Sequence, residues 1–212
     1  MVPDRGRNAG EVQVYIFQYP IHLRLYTVKK TEFDNIWNYY LCLEEDMRAT
    51  SRFVEPLGQE SVYSFEFAKI IVLASTESEA VMKKLCKTIS GRETGTIAEY
   101  KEIILGQYPK IVEAKVTIHR SNWEFCPLSE WSCARLEWWD SYQSLKHSRE
   151  AHFKDATYKN ACYALSALYI LIFYLAEANS IKFESHESKY ITSEYCNVYF
   201  LARGNKILPG VQ

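Results

Sequence analysis

The sequence predicts a mostly α-helical fold, a helical bundle with a small β adjunct. Three observations carry that expectation. Apolar side chains recur at helical spacing over most of residues 31–180. The stretch ACYALSALYILIFYLA, residues 161–176, holds no charged side chain and suits the buried axis of a bundle. Period-two alternation, the mark of a half-buried strand, is confined to short runs.

In chain order, EVQVYIFQ and IHLRLYT alternate apolar and polar residues on either side of Pro20, which predicts a short antiparallel element within residues 1–30. The first helix is expected from Thr31, with Thr31 as its cap and Asp34 at the third helical position. Phe33, Ile36, Trp37, Tyr40, Leu43 and Met47 form its apolar stripe. EPLG, residues 55–58, ends or bends that helix. A longer helix is expected over 59–89, with Tyr63, Phe67, Ile71, Ala74, Ser78, Val81 and Leu85 facing the core. The small residues in the middle of that stripe suit close packing. A weaker third helix fits 96–105, closed by Gly106 and Pro109. Val112, Ala114, Val116 and Ile118 alternate with polar residues and predict a strand, inserted near 112–126. Helical patterns return over 136–146 and 156–178, and SEYCNVYFLA in the extension 181–212 reads as a further strand.

Composition narrows the function classes. Pro and Gly total 14 of 212 residues, which excludes a collagenous or low-complexity chain. The net charge of −1 provides no bulk attraction for nucleic acid or an anionic membrane, so a positive site must act locally. The apolar stretch 161–176 is shorter than a bilayer span needs, and no membrane association is expected. Six cysteines without a CxxC pair, and a polar opening MVPDRGRNAGE, predict reduced and mostly buried thiols in a cytoplasmic protein. The five histidines lack HExxH or tight Cys/His spacing, so neither a metal nor a cofactor is expected. Walker A, GxGxxG and GxSxG motifs are missing, which lowers the case for ATPase, dehydrogenase and hydrolase activities. The aromatic content is high, with 16 Tyr, 10 Phe and 5 Trp, and four of the Trp fall in residues 123–139. Periodicity assigns Trp37, Phe67, Trp138 and Tyr142 to helix packing, and Trp123 and Trp131 to the connection between strand and helix.

The stretch WWDSYQSLKHSREAHFKDATYKN, residues 138–160, is the most informative for chemistry. Lys146, Arg149, Lys154 and Lys159 outnumber Glu150 and Asp155, a net +2 over residues 146–159. Arg and Lys bind phosphate, and His moves protons near neutral pH. That set suits RNA cleavage without metal: a base takes the 2′-OH proton while cations stabilise the charge developing on phosphorus. His147, Arg149 and Lys146 are the candidate catalytic residues, with Tyr142, Asn160 and Glu77 in support. On an unbroken helix His147 and Arg149 point about 160° apart, so convergence requires the helix to end near His147. The competing arrangement pairs Arg149 with an acid on a helix face and leaves His147 to order the loop. Asn160 is placed to cap or cross-link the start of the last helix or to orient His147. Glu77, at the edge of the packed stripe, is either a surface acid or a partner for Arg149 or Lys146.

The element Tyr142-Gln-Ser-Leu-Lys146-His147-Ser-Arg149, followed by the apolar helix from Asn160, resembles the HEPN superfamily of small helical domains. Residues 63–86 are similar to the partner helix of such a bundle, and the resemblance spans about 33–178. The family's usual motif has an arginine a few residues before the histidine. Here His147 matches the histidine and Arg149 stands in for the arginine. The resemblance implies a metal-independent endoribonuclease of a toxin, abortive-infection or antiviral-defence type, acting as a homodimer and with an antitoxin or other protein partner. It equally implies, as the alternative, a non-catalytic HEPN-like interaction or RNA-binding module.

Overall fold

A computed structural model describes residues 26–183 and 187–193. The two N-terminal alternating runs and the stretch SEYCNVYFLA beyond Ser193 lie outside these residues. Among the described residues there are five α-helices: α1 (Lys30–Thr50), α2 (Phe65–Ser90), α3 (Ile97–Gln107), α4 (Glu137–Ser148) and α5 (Tyr158–Ala178). Three short strands, β1 (Val116–Ile118), β2 (Trp123–Phe125) and β3 (Ile191–Thr192), form an antiparallel sheet in the order β2-β1-β3. The fold is mostly α with a β adjunct, as the patterning predicts.

The core is built around α5. Eighteen of its 21 residues are buried, because a helix apolar on every side needs cover on every side. It is long and apolar enough to cross a membrane, yet α1, α2 and α4 enclose it here. Each fully buried Leu, Ile or Phe contributes about 1.5–3 kcal/mol of transfer free energy. The most extensive helix pair is α2 with α5. Ala74, Ser75 and Ser78 on α2 and Ser166 on α5 are fully buried, so small side chains lie in both cores of that pair. Thr157 caps α5, its hydroxyl accepting the Asn160 N–H at 3.2 Å.

Helix starts differ from expectation where a tertiary contact intervenes. Lys29, in extended backbone, precedes α1, with no side-chain cap. Thr31 lies inside the helix, and Asp34 pairs with Lys30 one turn earlier instead of supporting a cap. The chain leads in from Val28, whose N–H is held by Asn179 Oδ1 at 2.8 Å. α2 begins at Phe65, not near 59, with Ser64 accepting the Phe67 N–H at 3.1 Å. The residues before it are drawn onto the start of α5: Tyr158 N–H donates to Val62 O at 2.8 Å, and Lys159 N–H to Glu60 O at 3.0 Å. Tyr63 therefore stands off the packed stripe, 46% exposed, while Phe67, Ile71, Ala74, Ser78, Val81 and Leu85 are buried as expected. Gly91 closes α2 at φ +71°, a left-handed cap that favours glycine. α3 has Thr96 as its cap, in a reciprocal capping box with Glu99.

The strand expected from Val112 starts later. Pro109–Glu113 forms a 3-10 turn, since proline fixes its own φ for a helical first position. Val116 and Ile118 then point into the core and Thr117 does not. The sheet is fastened to α1 by Glu44, which is only 4% exposed. Its carboxylate accepts from Tyr40 Oη, Ser188 Oγ and the N–H groups of Lys189, Tyr190 and Ile191, at 2.5–3.1 Å. Full hydrogen bonding is what makes a buried carboxylate tolerable. Trp37 Nε1–H donates to Glu187 Oε2 at 2.8 Å beside this clamp.

Trp131 and Trp138 are buried, and the Trp138 indole N–H donates to Pro127 O at 3.0 Å. Trp123 is half-buried and packs on Phe125 and Tyr163. Tryptophans thus brace the segment between sheet and α4. The five described cysteines are free; Cys86 and Cys162 are buried, whereas Cys42 and Cys133 are exposed, so the thiols are less buried than expected. Burial pushes the Cys86 thiol up to about 11.

Candidate functional site

The candidate site lies at the C-terminal end of α4. Trp138, Trp139, Ser141, Tyr142 and Leu145 form the buried face of that helix, which fixes where its last turn points. Lys146, His147, Ser148, Arg149 and Glu150 are all exposed. The helix ends at Ser148, one residue past His147, but Arg149 still has helical dihedrals (φ −56°, ψ −38°). His147 and Arg149 consequently project about 160° apart. One copy of the chain does not bring its own two residues to a common point.

Each supporting residue has a definite place. Tyr142 is 1% exposed, and its hydroxyl accepts from Lys146 Nζ at 3.2 Å and Thr76 Oγ1 at 3.4 Å. It anchors the lysine and ties α4 to α2. The hydrogen bond to Tyr142, with a smaller contribution from Glu79, raises the Lys146 ammonium above its ordinary value. Arg149 is paired with no described acid; its guanidinium lies 5.9 Å from the centre of the Phe65 ring. Asn160 is buried and cross-links α5 to the neighbouring segments, donating from Nδ2 to Ser141 Oγ at 2.7 Å and to Asp155 O at 3.0 Å. Its Oδ1 is buried without a hydrogen-bond partner among the described residues. Asn160 thus serves the helix junction, and His147 is not among its partners. His152, exposed, meets Asp155 at 3.2 Å.

Glu77 faces away from this end, toward α1. Desolvation raises its carboxyl above the ordinary value, partly offset by Lys84, and Glu77 in turn helps raise the Tyr39 phenol behind a larger desolvation effect. The acid that shares space with Lys146 is Glu79, which pairs with Lys83 at 2.8 Å. Two positions further along the helix turn the side chain from the α1 side to the α4 side. An open cleft of about 700 Å³ lies there between α2, α3 and α4, lined by Glu79, Tyr100, Arg135, Trp139, Asp140, Gln143 and Lys146 among others. Its charges are mixed, and Arg135 already lies 3.8 Å from Asp140.

Phe65, which has no part in the sequence-level site, stands next to Arg149 and joins a small aromatic cluster. Phe65 is 68% exposed, and its ring lies 4.5 Å from that of Phe153, which also meets Tyr63 at 5.3 Å. The available signal was Ser64: a serine cap places Phe65 on the first turn, where a helix is open to solvent. Among the described residues no group of three or more His, Cys, Asp or Glu side chains is placed to hold a metal ion. No family model, curated protein or solved structure matches the chain, so the likeness to HEPN domains rests on the residues quoted for it.

Proposed function

We propose that this domain is an RNA-contacting module and that the exposed end of α4 is its contact face. The supporting observation is the condition of Lys146, His147 and Arg149. All three are exposed, and none forms an ion pair with a described acid. A purely structural role predicts cations tied to helix-face acids, as Lys84 is to Glu32 and Lys159 to Glu137. Free cations keep their capacity for phosphate. With a chain charge of −1 the affinity comes from these local contacts and falls as salt rises.

The endoribonuclease reading is favoured by one further feature: His147 faces solvent with no described hydrogen-bond partner, so its ring is open to proton exchange. In that reaction the 2′-oxygen attacks phosphorus, a base removes its proton, and an acid protonates the departing 5′-oxygen. Since His147 and Arg149 of one copy diverge, the second group at a given phosphate comes from a partner copy in a homodimer. Fluorescence anisotropy with labelled RNA in EDTA, run beside a cleavage gel, tests both readings. Binding that weakens in Arg149→Ala is expected. Cleavage lost in a folded His147→Ala, with binding retained, is the nuclease outcome. Absence of binding to any RNA overturns the proposal.

A further inference from the structure

We infer that Phe65, framed by Tyr63, Phe153 and Arg149, is a stacking platform for an unpaired base, so the RNA taken by this face is single-stranded. The inference rests on the RNA-contacting reading above and adds to it a site outside α4. Single exposed apolar residues are ordinary on a protein surface. Here the Phe153 ring meets those of Phe65 and Tyr63, with centroids 4.5 and 5.3 Å apart, while Phe65 and Tyr63 remain 68% and 46% exposed. A guanidinium lies against the same cluster.

The cluster is held in place by backbone rather than by ring contacts alone. Residues 60–64 run antiparallel to 156–159: Ser64 N–H donates to Ala156 O at 3.3 Å, and Tyr63 bridges to Thr157. Ser64 then caps α2, which fixes Phe65 on the first turn. Such preorganisation lowers the ordering cost of binding. A guanidinium beside an exposed ring suits a ligand that carries both phosphate and flat faces. Arg149 and Lys154 are exposed and Glu66 is held by Lys69 at 2.5 Å; Glu150 and Asp155, the latter 3.2 Å from His152, are the acids near them in sequence. Phosphates meet the two cations while a base meets the ring. A duplex cannot use the ring, because its base faces are already stacked on each other.

The test uses the whole chain and an RNA of about 12 nucleotides carrying 2-aminopurine, alone and annealed to its complement. The single strand is expected to bind more tightly than the duplex, with quenched 2-aminopurine emission. Phe65→Ala is expected to weaken single-strand binding about tenfold and abolish the quenching. Phe65→Trp is expected to restore both. The exposure of Phe65 lets the variants fold, which circular dichroism checks. Single-strand binding and quenching unchanged in Phe65→Ala overturn the platform while the RNA-contacting reading stands on Arg149. Equal binding of strand and duplex overturns it too, as does a Phe65→Ala effect confined to self-association in sedimentation. Wild-type protein that binds neither RNA overturns both readings.

Discussion

Two polar regions of this molecule solve opposite problems. At Glu44 a carboxylate sits inside the protein, and five donors from α1 and residues 188–191 converge on it. At the end of α4, Lys146, His147 and Arg149 reach into solvent and form no ion pair with an acid among the described residues. The buried group must be satisfied by the protein, because an unmade hydrogen bond there costs its full desolvation penalty. The exposed groups are satisfied by water and can exchange that water for a ligand. Saturation therefore marks a fastening, and open valence marks a contact face.

The contrast can be broken by mutation, and the largest effect is expected at the clamp. Glu44→Ala strands three backbone N–H groups and two hydroxyls and should destabilise the fold by about 3 kcal/mol. A urea denaturation midpoint close to that of the wild type would show that residues 187–192 are not fastened by this carboxylate. Asn160→Ala should cost less, about 1 kcal/mol, since two hydrogen bonds are lost but the orphaned Oδ1 goes with them. RNA affinity should survive it when the variant is folded; loss of affinity would put Asn160 in the contact face.

At the exposed end the same tests should invert. Arg149→Ala should leave stability within about 0.5 kcal/mol of the wild type. Its RNA affinity should drop several-fold, and the slope of log affinity against log salt should fall by about 0.7 for a single strand. An unchanged slope would remove Arg149 from the phosphate contacts. His147→Ala should likewise leave the thermal midpoint where it is, so any change in RNA cleavage belongs to the chemistry and not to folding.

The smallest effect concerns pH. Desolvation holds the Glu77 carboxyl above its ordinary value, with Lys84 partly compensating, so its ionisation opposes the folded state. The penalty is absent below the ordinary carboxylate range, grows as pH rises toward the raised folded value, and is complete above it. Solvent screening keeps it small at this half-exposed position. Glu77→Gln should therefore raise stability at pH 7 by a few tenths of a kcal/mol and have no benefit near pH 4. A stabilisation of equal size at both pH values would trace it to packing instead of charge.

The helices were largely legible in the sequence because their signals are local. The uncharged run 161–176 became part of α5, and the weaker helix expected over 96–105 became α3. Val112 misled, since its alternation with Ala114, Val116 and Ile118 continued through a 3-10 turn that Pro109 had already set. Within the candidate site, residue types were readable but directions were not. Nothing local to KHSR announced that Arg149 would keep helical dihedrals, and helical phase put Glu77 at the edge of the packed stripe without saying that this edge meets α1. Both depend on which face of a helix its neighbours cover.

The sequence by itself determined the fold class, the buried axis of the bundle, and the charged end of α4, because periodicity and composition act within a few residues. Only the tertiary structure decided that Glu79 faces Lys146, that His147 and Arg149 diverge, and that Tyr63, Phe65 and Phe153 meet beside Arg149. Apart from the two residues at the end of α4, those relations join residues tens of positions apart. They follow from how residues 60–64 pair with 156–159 and how α2 lies along α4, a choice made by packing and not by local preference.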